Sequence, residues 1–285
     1  MSTIDARVRL PQDLRPGSRH VAPTRQTEQY DRVLGLNDKL ESGTMERLLA
    51  SLAEYEVTHA VIHAETEGGE DVEALNDAVA STVEDHPDRF TGVGAADIFR
   101  DTPGSMARQA ARIAERGLVG VSVQPAFAGM DIDDRRLYPL YARCEELRLI
   151  VFMHTGITYS RMHPIRHERA ELLDQVACDF PDLKLVACHA GWPYVAEYCA
   201  VARRHPTVYL EFGGLAPRYV AKHGTGWDPL FGMMANVLRE QVIYGSDWPV
   251  MDHGRGLQEW RDSGLDDATL KALLRANSAS LLGIE

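Results

Sequence analysis

Residues 149–191 contain two strongly apolar runs, "LIVFMHTG" (149–156) and "LKLVACHAG" (183–191), which flank the amphipathic stretch "LLDQVACDF" (172–180). The two runs are short and rich in apolar residues, as is typical of fully buried strands. In the stretch between them, Leu172, Leu173, Val176 and Phe180 form one helical stripe. Strand, helix and strand in this order predict a βαβ unit with parallel strands.

The same alternation extends over the rest of the chain. Six further apolar runs are "STIDARVRL" (2–10), "THAVIHAE" (58–65), "FTGVGAADI" (90–98), "GLVGVSVQP" (117–125), "TVYLEFGG" (207–214) and "QVIYGSDWP" (241–249). Amphipathic stretches such as "TMERLLASLAEYEV" (44–57) lie between them. Eight strand–helix repeats in 285 residues predict a single-domain (β/α)8 TIM barrel over residues 1–285. An open, doubly wound sheet is the structural alternative.

Two segments interrupt this alternation. Residues 11–43, rich in Pro, Arg and Gly, are too long for a simple connection between a strand and a helix. Residues 156–169, "GITYSRMHPIRHER", form a long loop after the fifth predicted strand. Both segments follow the carboxyl ends of strands, so we expect them to cover the mouth of the barrel, where barrel enzymes have their active sites.

The overall composition excludes some classes of partner. The chain has a formal net charge of -12 and a pI of about 5.4, which is unsuited to general binding of nucleic acids or anionic membranes. A small anionic molecule remains possible as a substrate in a locally basic pocket. The cysteines, which include no CxxC pair, are expected to be four buried free thiols. With no signal-peptide run or membrane-length apolar stretch, the sequence predicts a cytoplasmic protein.

Ionisable or polar residues stand at or near the carboxyl end of every predicted strand. In a barrel these ends meet at one mouth, so their side chains should form one cluster. Buried ionisable groups are costly unless they are paired, and clusters of them are enriched at functional sites. The residues concerned are Arg7, Arg9, His63, Glu65, Asp97, Gln124, His154, His189, Glu211 and Asp247.

The first predicted strand is unusual because two arginines share one side of it. Alternation places Asp5, Arg7 and Arg9 on one face of the strand. The apolar residues Ile4, Ala6, Val8 and Leu10 would pack on the other face. Two adjacent guanidinium groups repel each other unless an anion lies between them. We therefore expect Arg7 and Arg9 to project into the mouth and to contact an anionic group there.

Three motifs, "MHTG" (153–156), "CHAGWP" (188–193) and "YGSDWP" (244–249), resemble the amidohydrolase-related family in order and spacing. This branch includes aminocarboxymuconate-semialdehyde decarboxylase, resorcylate-type decarboxylases and pyrone-dicarboxylate lactonase. Residues 163–197 also resemble the family's fifth helix and sixth strand. The resemblance implies a (β/α)8 barrel that acts on a C–N, C–O or C–C bond next to a carbonyl or carboxylate. Homodimers are common in this family.

In metal-dependent members of that family, the first strand carries a His-x-His pair that binds a divalent metal, usually zinc. The corresponding positions here are Arg7 and Arg9, while His154 and Asp247 match the remaining ligands. Arginine has no lone pair to offer a metal and stays protonated in proteins. We therefore expect a pocket without metal or other cofactor. Zinc held by His154 and Asp247 is the alternative, with a relocated site that includes His63 and Glu65 as a further variant.

These residues predict a metal-independent hydrolase of a small carboxylated or carbonyl substrate such as a lactone, ester or amide. Asp247 would be the general base, His189 and His154 the acid/base and orienting groups, and Arg7 and Arg9 the anion holders. The further substrate-binding candidates are His63, Gln124 and Glu211. A decarboxylase or other lyase using the same pocket is the first alternative. A catalytically inactive barrel that binds a ligand or partner is the second; there the arginines would form an internal salt-bridge network with Asp247, Glu211 or Glu65.

Overall fold

Eight parallel strands, hydrogen-bonded in their order along the chain, form the barrel in a computed structural model that describes residues 2–17, 28–66 and 70–284. This confirms the predicted (β/α)8 TIM barrel over the open-sheet alternative. The strands are β1 (Thr3–Arg9), β2 (Val57–His63), β3 (Phe90–Ala95), β4 (Gly120–Val123), β5 (Ile150–His154), β6 (Leu185–Cys188), β7 (Val208–Glu211) and β8 (Val242–Ile243).

Helices cover the outside of the strands, and many of their starts follow local sequence rules. The side chains of Thr44, Asp71, Thr102 and Asp266 each accept a hydrogen bond from a backbone N–H of the first helical turn. The helices of the described residues are α1 (Glu28–Leu34), α2 (Leu36–Ser42), α3 (Met45–Glu54), α4 (Val72–Asp85), α5 (Pro103–Glu115), α6 (Tyr138–Leu147), α7 (Ala170–Asp179), α8 (Val195–Arg204), α9 (Pro217–Val220), α10 (Asp228–Met234), α11 (His253–Arg261), α12 (Asp267–Lys271) and α13 (Asn277–Leu282). Short 3-10 turns cover Pro125–Ala128, Ile165–Glu168 and His189–Gly191, and a π-helical turn covers Ala272–Ala276.

The barrel closes where β1 meets the segment after β8. The backbone N–H of Ala6 donates to the carbonyl of Tyr244 (2.9 Å), and that of Arg9 donates to the carbonyl of Trp248 (3.0 Å). Val8 and Trp248 form a parallel bridge between the two segments. This contact brings the end of β1 beside residues 246–248, so the arginines and Asp247 lie at the same seam.

A bulge in β1 changes the expected alternation of its side chains. The pairing with β2 shifts register between Asp5 and Val8. Ala6 consequently packs inside the barrel with residues from other strands, whereas the carboxylate of Asp5 turns outward to His253 of α11 (2.9 Å). The prediction that Asp5 shares a face with Arg7, and Ala6 a face with Val8, is therefore wrong. An inserted residue moves the side chains that follow it to the opposite face of the sheet. Bulges of this kind often redirect a side chain into a functional site.

The two segments expected at the mouth contain regular structure of their own. Residues 11–43 include α1 and α2, while residues 18–27 lie outside the described residues. Residues 156–169 end in the turn Ile165–Glu168. Tyr30 of α1 donates or accepts a 2.8 Å hydrogen bond with Thr158, which joins the two segments to each other.

Three of the four cysteines are buried free thiols, as predicted, but Cys178 is exposed. It lies on α7, four residues after Asp174, on the side of the helix that does not face the barrel. The prediction of burial fails there because a helix places only one stripe of side chains against the core. Within the described part of the chain, no helix combines the length and the apolar character needed to span a membrane.

Candidate active site

A cavity of about 330 Å³ opens at the carboxyl-terminal mouth of the barrel. Polar side chains from the strand ends form its floor: Arg7, Arg9, Gln124, His154, His189 and Asp247. The other described residues of the lining are aromatic, aliphatic or glycine: Tyr30, Leu34, Phe127, Ile157, Tyr159, Trp192, Gly213, Gly214, Leu215, Ala216, Tyr219, Val220, Trp227 and Val250. A mostly apolar cavity with a few convergent polar groups is typical of a small-molecule site.

Arg7 and Arg9 lie side by side on the floor and share two carboxylates. Arg9 binds Asp247 through two parallel bonds, Nε to Oδ1 (3.0 Å) and Nη2 to Oδ2 (3.1 Å). Arg7 Nε reaches the same Oδ1 at 3.4 Å. Both guanidinium groups also contact the carboxylate of Glu65, Arg9 at 3.1 Å and Arg7 more closely. We call Arg7, Arg9, Glu65 and Asp247 the ion-pair quartet.

The ion-pair quartet has two positive and two negative charges and is almost completely buried. The side chains of Arg7 and Glu65 are each 2% exposed, while that of Arg9 is 13% exposed. Burial disfavours the charged form of Glu65, but the guanidinium groups of Arg7, Arg9 and Arg15 outweigh it and lower the pKa of this carboxyl. Because two positive charges meet two negative charges, the floor gains little net charge from its arginines. Arg9, the more exposed of the two, is the one that a ligand in the cavity can approach.

His154 is held by a carboxylate from the loop that follows its strand. It ends β5, and its Nδ1 makes a very short contact with Oε1 of the fully buried Glu168. A carboxylate on Nδ1 fixes the orientation of the ring and stabilises positive charge on it. Nε2 is therefore the nitrogen of His154 left for a ligand in the cavity.

His189 lies beside His154, with the two ring centroids 4.7 Å apart. Its Nδ1 lies 2.7 Å from the backbone carbonyl of Gly213, which can only accept a hydrogen bond, so Nδ1 carries the proton. Burial, together with the nearby His154 and Arg7, holds the pKa of His189 well below its ordinary value. The ring is consequently neutral at physiological pH, and its Nε2 has a lone pair available to accept a proton.

Asp247 occupies a constrained position after β8. Its backbone is left-handed, with φ of 54°, a conformation that is uncommon outside glycine. Its N–H donates to the carbonyl of Arg7 (2.9 Å), and the preceding Ser246 hydrogen-bonds to the buried carboxylate of Asp5 through both N–H and Oγ. These bonds hold the Asp247 carboxylate toward the arginines. Both of its oxygens accept hydrogen bonds from guanidinium groups, so a general-base role would compete with these bonds.

The remaining predicted substrate-binding residues divide between the cavity and the layer beneath it. Gln124 lines the cavity. His63 does not; its Nε2 lies 3.0 Å from the carbonyl of Ala6, and burial lowers its pKa to about 3. Glu211 also lies below the cavity, and burial raises its pKa to about 8 despite the nearby Arg7. The structure thus brings Arg7, Arg9, Gln124, His154, His189 and Asp247 together and places His63 and Glu211 underneath.

Glu65 and Glu168 contribute more contacts to the site than the sequence indicated. The sequence indicates Glu65 as a strand-end residue, a salt-bridge partner or a relocated metal ligand, and the structure places it in contact with both arginines. Glu168 was not singled out at all, because it lies fourteen positions after His154 in a long loop. The sequence signal for Glu65 was its place two residues after a strand end, and Glu168 had no comparable signal.

The residues at the family's metal position do not fit a divalent cation. Arg7 and Arg9 offer only N–H donors, which cannot ligate a metal. Both oxygens of Asp247 bind guanidinium groups, and both oxygens of Glu65 lie against them. Among the described residues at that position, His154 alone offers a ligand atom, Nε2, that lies outside these ion pairs, whereas a catalytic zinc site uses three protein ligands.

Two curated proteins match this chain over very different lengths. The 2-amino-3-carboxymuconate-6-semialdehyde decarboxylase of Dictyostelium discoideum is 35% identical over 80 residues, which are 28% of this chain and 22% of that protein. The chain thus matches only a minor part of that relative. Decarboxylase orsB of Emericella nidulans is 24% identical over 306 aligned positions, covering 88% of this chain and 89% of the relative.

An uncharacterised TIM-barrel protein from Bordetella bronchiseptica has a similar structure over its whole length. The TM-score is 0.79 with 26% sequence identity, and 99% of each chain is covered. The amidohydrolase family model matches residues 4–284, which includes all eight strands except the first residue of β1. The chain therefore belongs to the amidohydrolase family.

Proposed function

We propose that this protein is a decarboxylase of small aromatic carboxylates that works without a metal at the family position. The two curated relatives described above are both decarboxylases, which favours this alternative over the expected hydrolase. The engagement of both Asp247 oxygens also weakens its assignment as a general base acting on water. One observation carries the proposal: His154, bound at Nδ1 by a carboxylate, and His189, bound at Nδ1 by a backbone carbonyl, face the same aromatic-lined cavity beside Arg9.

In the proposed reaction, a 2-hydroxybenzoate lies on the floor with its ring among the aromatic side chains. The neutral Nε2 of His189 accepts the proton of the ring hydroxyl, and Arg9 stabilises the resulting oxyanion. His154, held by Glu168, donates a proton from Nε2 to the ring carbon that bears the carboxylate. The bond from that carbon to the carboxylate then breaks, carbon dioxide leaves, and its electron pair restores the aromatic ring. His189 returns its proton to the oxygen, and solvent reprotonates His154.

Product analysis tests the proposal. Purified protein is incubated in D2O with a panel of 2-hydroxybenzoates labelled with ¹³C in the carboxyl group. We expect labelled carbon dioxide and one deuterium on the ring carbon that has lost the carboxylate. Incorporation of ¹⁸O from labelled water into the product of a lactone or ester panel would instead support the hydrolase. Tight binding of carboxylates without any product would support the inactive barrel.

A further inference from the structure

The cavity is larger than the reacting ring requires. A cavity of roughly 150 Å³ is enough to bind benzene in a protein interior. The cavity of this protein has a volume of about 330 Å³. The cavity thus has roughly twice the volume that an unsubstituted ring needs, and a single hydroxybenzoate on the floor would leave part of it unfilled.

The unfilled space is apolar and lies away from the floor. After β7 the chain passes the floor at Gly214, where an added methyl group would lie 3.4 Å from Oδ2 of Asp247. It then continues through Leu215 and Ala216 to Tyr219, which is 51% exposed and marks the rim. Above the floor, the described residues of the lining carry no acidic or basic side chain, and their ionisable groups are the phenols of Tyr30, Tyr159 and Tyr219.

Two tryptophans complete this side of the cavity. Trp227 is 5% exposed and directly precedes α10. The indole N–H of Trp192 donates to the carbonyl of Thr225 (3.4 Å). That bond ties the loop after β6 to the segment before α10. We call Leu215, Ala216, Val220, Trp192 and Trp227 the outer wall. It presents mainly hydrocarbon to the cavity, which favours an apolar ligand group.

We infer that the substrate carries an apolar alkyl or aryl substituent, opposite its carboxylate, that fills the space along the outer wall. The inference rests on the proposed function for the position of the carboxylate at the floor. A substituent at that ring position points away from the floor and along the wall. Unsubstituted hydroxybenzoates would then be poor ligands, because they leave apolar surface of the cavity in water.

Binding of 5-alkyl-2-nitrophenols tests the inference independently of turnover. In these probes the planar nitro group takes the place of the carboxylate and cannot leave as carbon dioxide. The alkyl chain opposite it has one, three or five carbons. Each buried methylene contributes about 0.8 kcal/mol, so affinity measured by calorimetry should rise about fourfold per carbon. An affinity that stays flat across the series, or no binding of any member, would overturn the inference.

Two variants locate the alkyl chain. Ala216→Phe fills the outer wall and should weaken binding of the pentyl probe by tenfold or more, while the methyl probe changes less than twofold. Leu215→Ala removes wall surface and should also weaken the pentyl probe selectively. Val237→Ala is the matched control, because Val237 is 49% exposed and does not line the cavity. Equal losses for both probes in the two wall variants would contradict the inference.

The outcomes separate this inference from the proposed function. Rising affinity across the series, with no carbon dioxide from any carboxylate, supports the apolar subsite and contradicts the decarboxylase. Carbon dioxide from hydroxybenzoates, with affinity independent of chain length, supports the decarboxylase and contradicts the subsite.

Discussion

Glu211→Gln should remove a pH dependence of stability that originates below the cavity. The carboxyl of Glu211 is fully buried and is closely confined: a methyl group added at Gly245 would lie 1.8 Å from its Oε1. Burial raises its pKa from the ordinary 4.5 to about 8, so the folded state prefers the protonated form. This contribution to stability is fully present below pH 4.5 and is lost as the pH rises through 8. The whole difference corresponds to about 5 kcal/mol, of which about 3–4 kcal/mol falls between about pH 5 and 8.

Urea unfolding at pH 5 and pH 8 measures this difference. The wild-type protein should lose about 3–4 kcal/mol more than Glu211→Gln over this interval, because glutamine fills the same space and does not ionise. Glu84→Gln, on the exposed face of α4, is the control and should behave as the wild type does. If the wild type and Glu211→Gln show the same pH dependence, Glu211 is ionised in the folded protein and the reasoning from its burial is refuted.

Four further predictions follow from the site. Asp247→Asn removes one of the two negative charges that balance Arg7 and Arg9, so the free energy of unfolding measured in urea should fall by about 3–5 kcal/mol. An unchanged unfolding midpoint would contradict the stabilising role of the ion-pair quartet. The double variant Arg7→His and Arg9→His should bind zinc in equilibrium dialysis, since His154 and Asp247 remain in place, whereas the wild type should not; absence of zinc in the variant would mean that the site differs further from its metal-dependent relatives. Glu168→Gln should lower the rate of carbon dioxide release about 100-fold, with little change in affinity for the nitrophenols, because it acts through the proton on His154; an unchanged rate would remove Glu168 from this role. His63→Gln should flatten the loss of stability as the pH falls from about 6.5 toward 3, since the neutral His63 with a pKa of about 3 must take up a proton on unfolding; acid unfolding identical to the wild type would contradict its burial as a neutral ring.

The sequence predicted the barrel because each strand is a short apolar run, and the repeat of eight such runs needs no knowledge of tertiary contacts. Alternation failed within β1, because the bulge between Asp5 and Val8 depends on pairing with β2 and on the contact of Asp5 with His253. Of the ten polar residues at the predicted strand ends, six line the cavity, and His63, Glu65 and Glu211 do not. Asp97 does not line it either and instead accepts a hydrogen bond from Nε of Arg100 (2.8 Å). The partnership of His154 with Glu168 was not predictable, since nothing in a fourteen-residue loop indicates which of its side chains folds back.

The shared carboxylates make Arg7 and Arg9 dependent on each other. Each guanidinium contacts both Glu65 and Asp247, so replacing one arginine leaves two carboxylates with a single cation between them. A histidine pair is one stable arrangement, because both rings can bind one divalent cation. An arginine pair is another, because its two positive charges balance the two carboxylates. A mixed pair has neither arrangement. An evolutionary path between the two would therefore cross a destabilised intermediate unless both codons change together or an acidic partner is lost first.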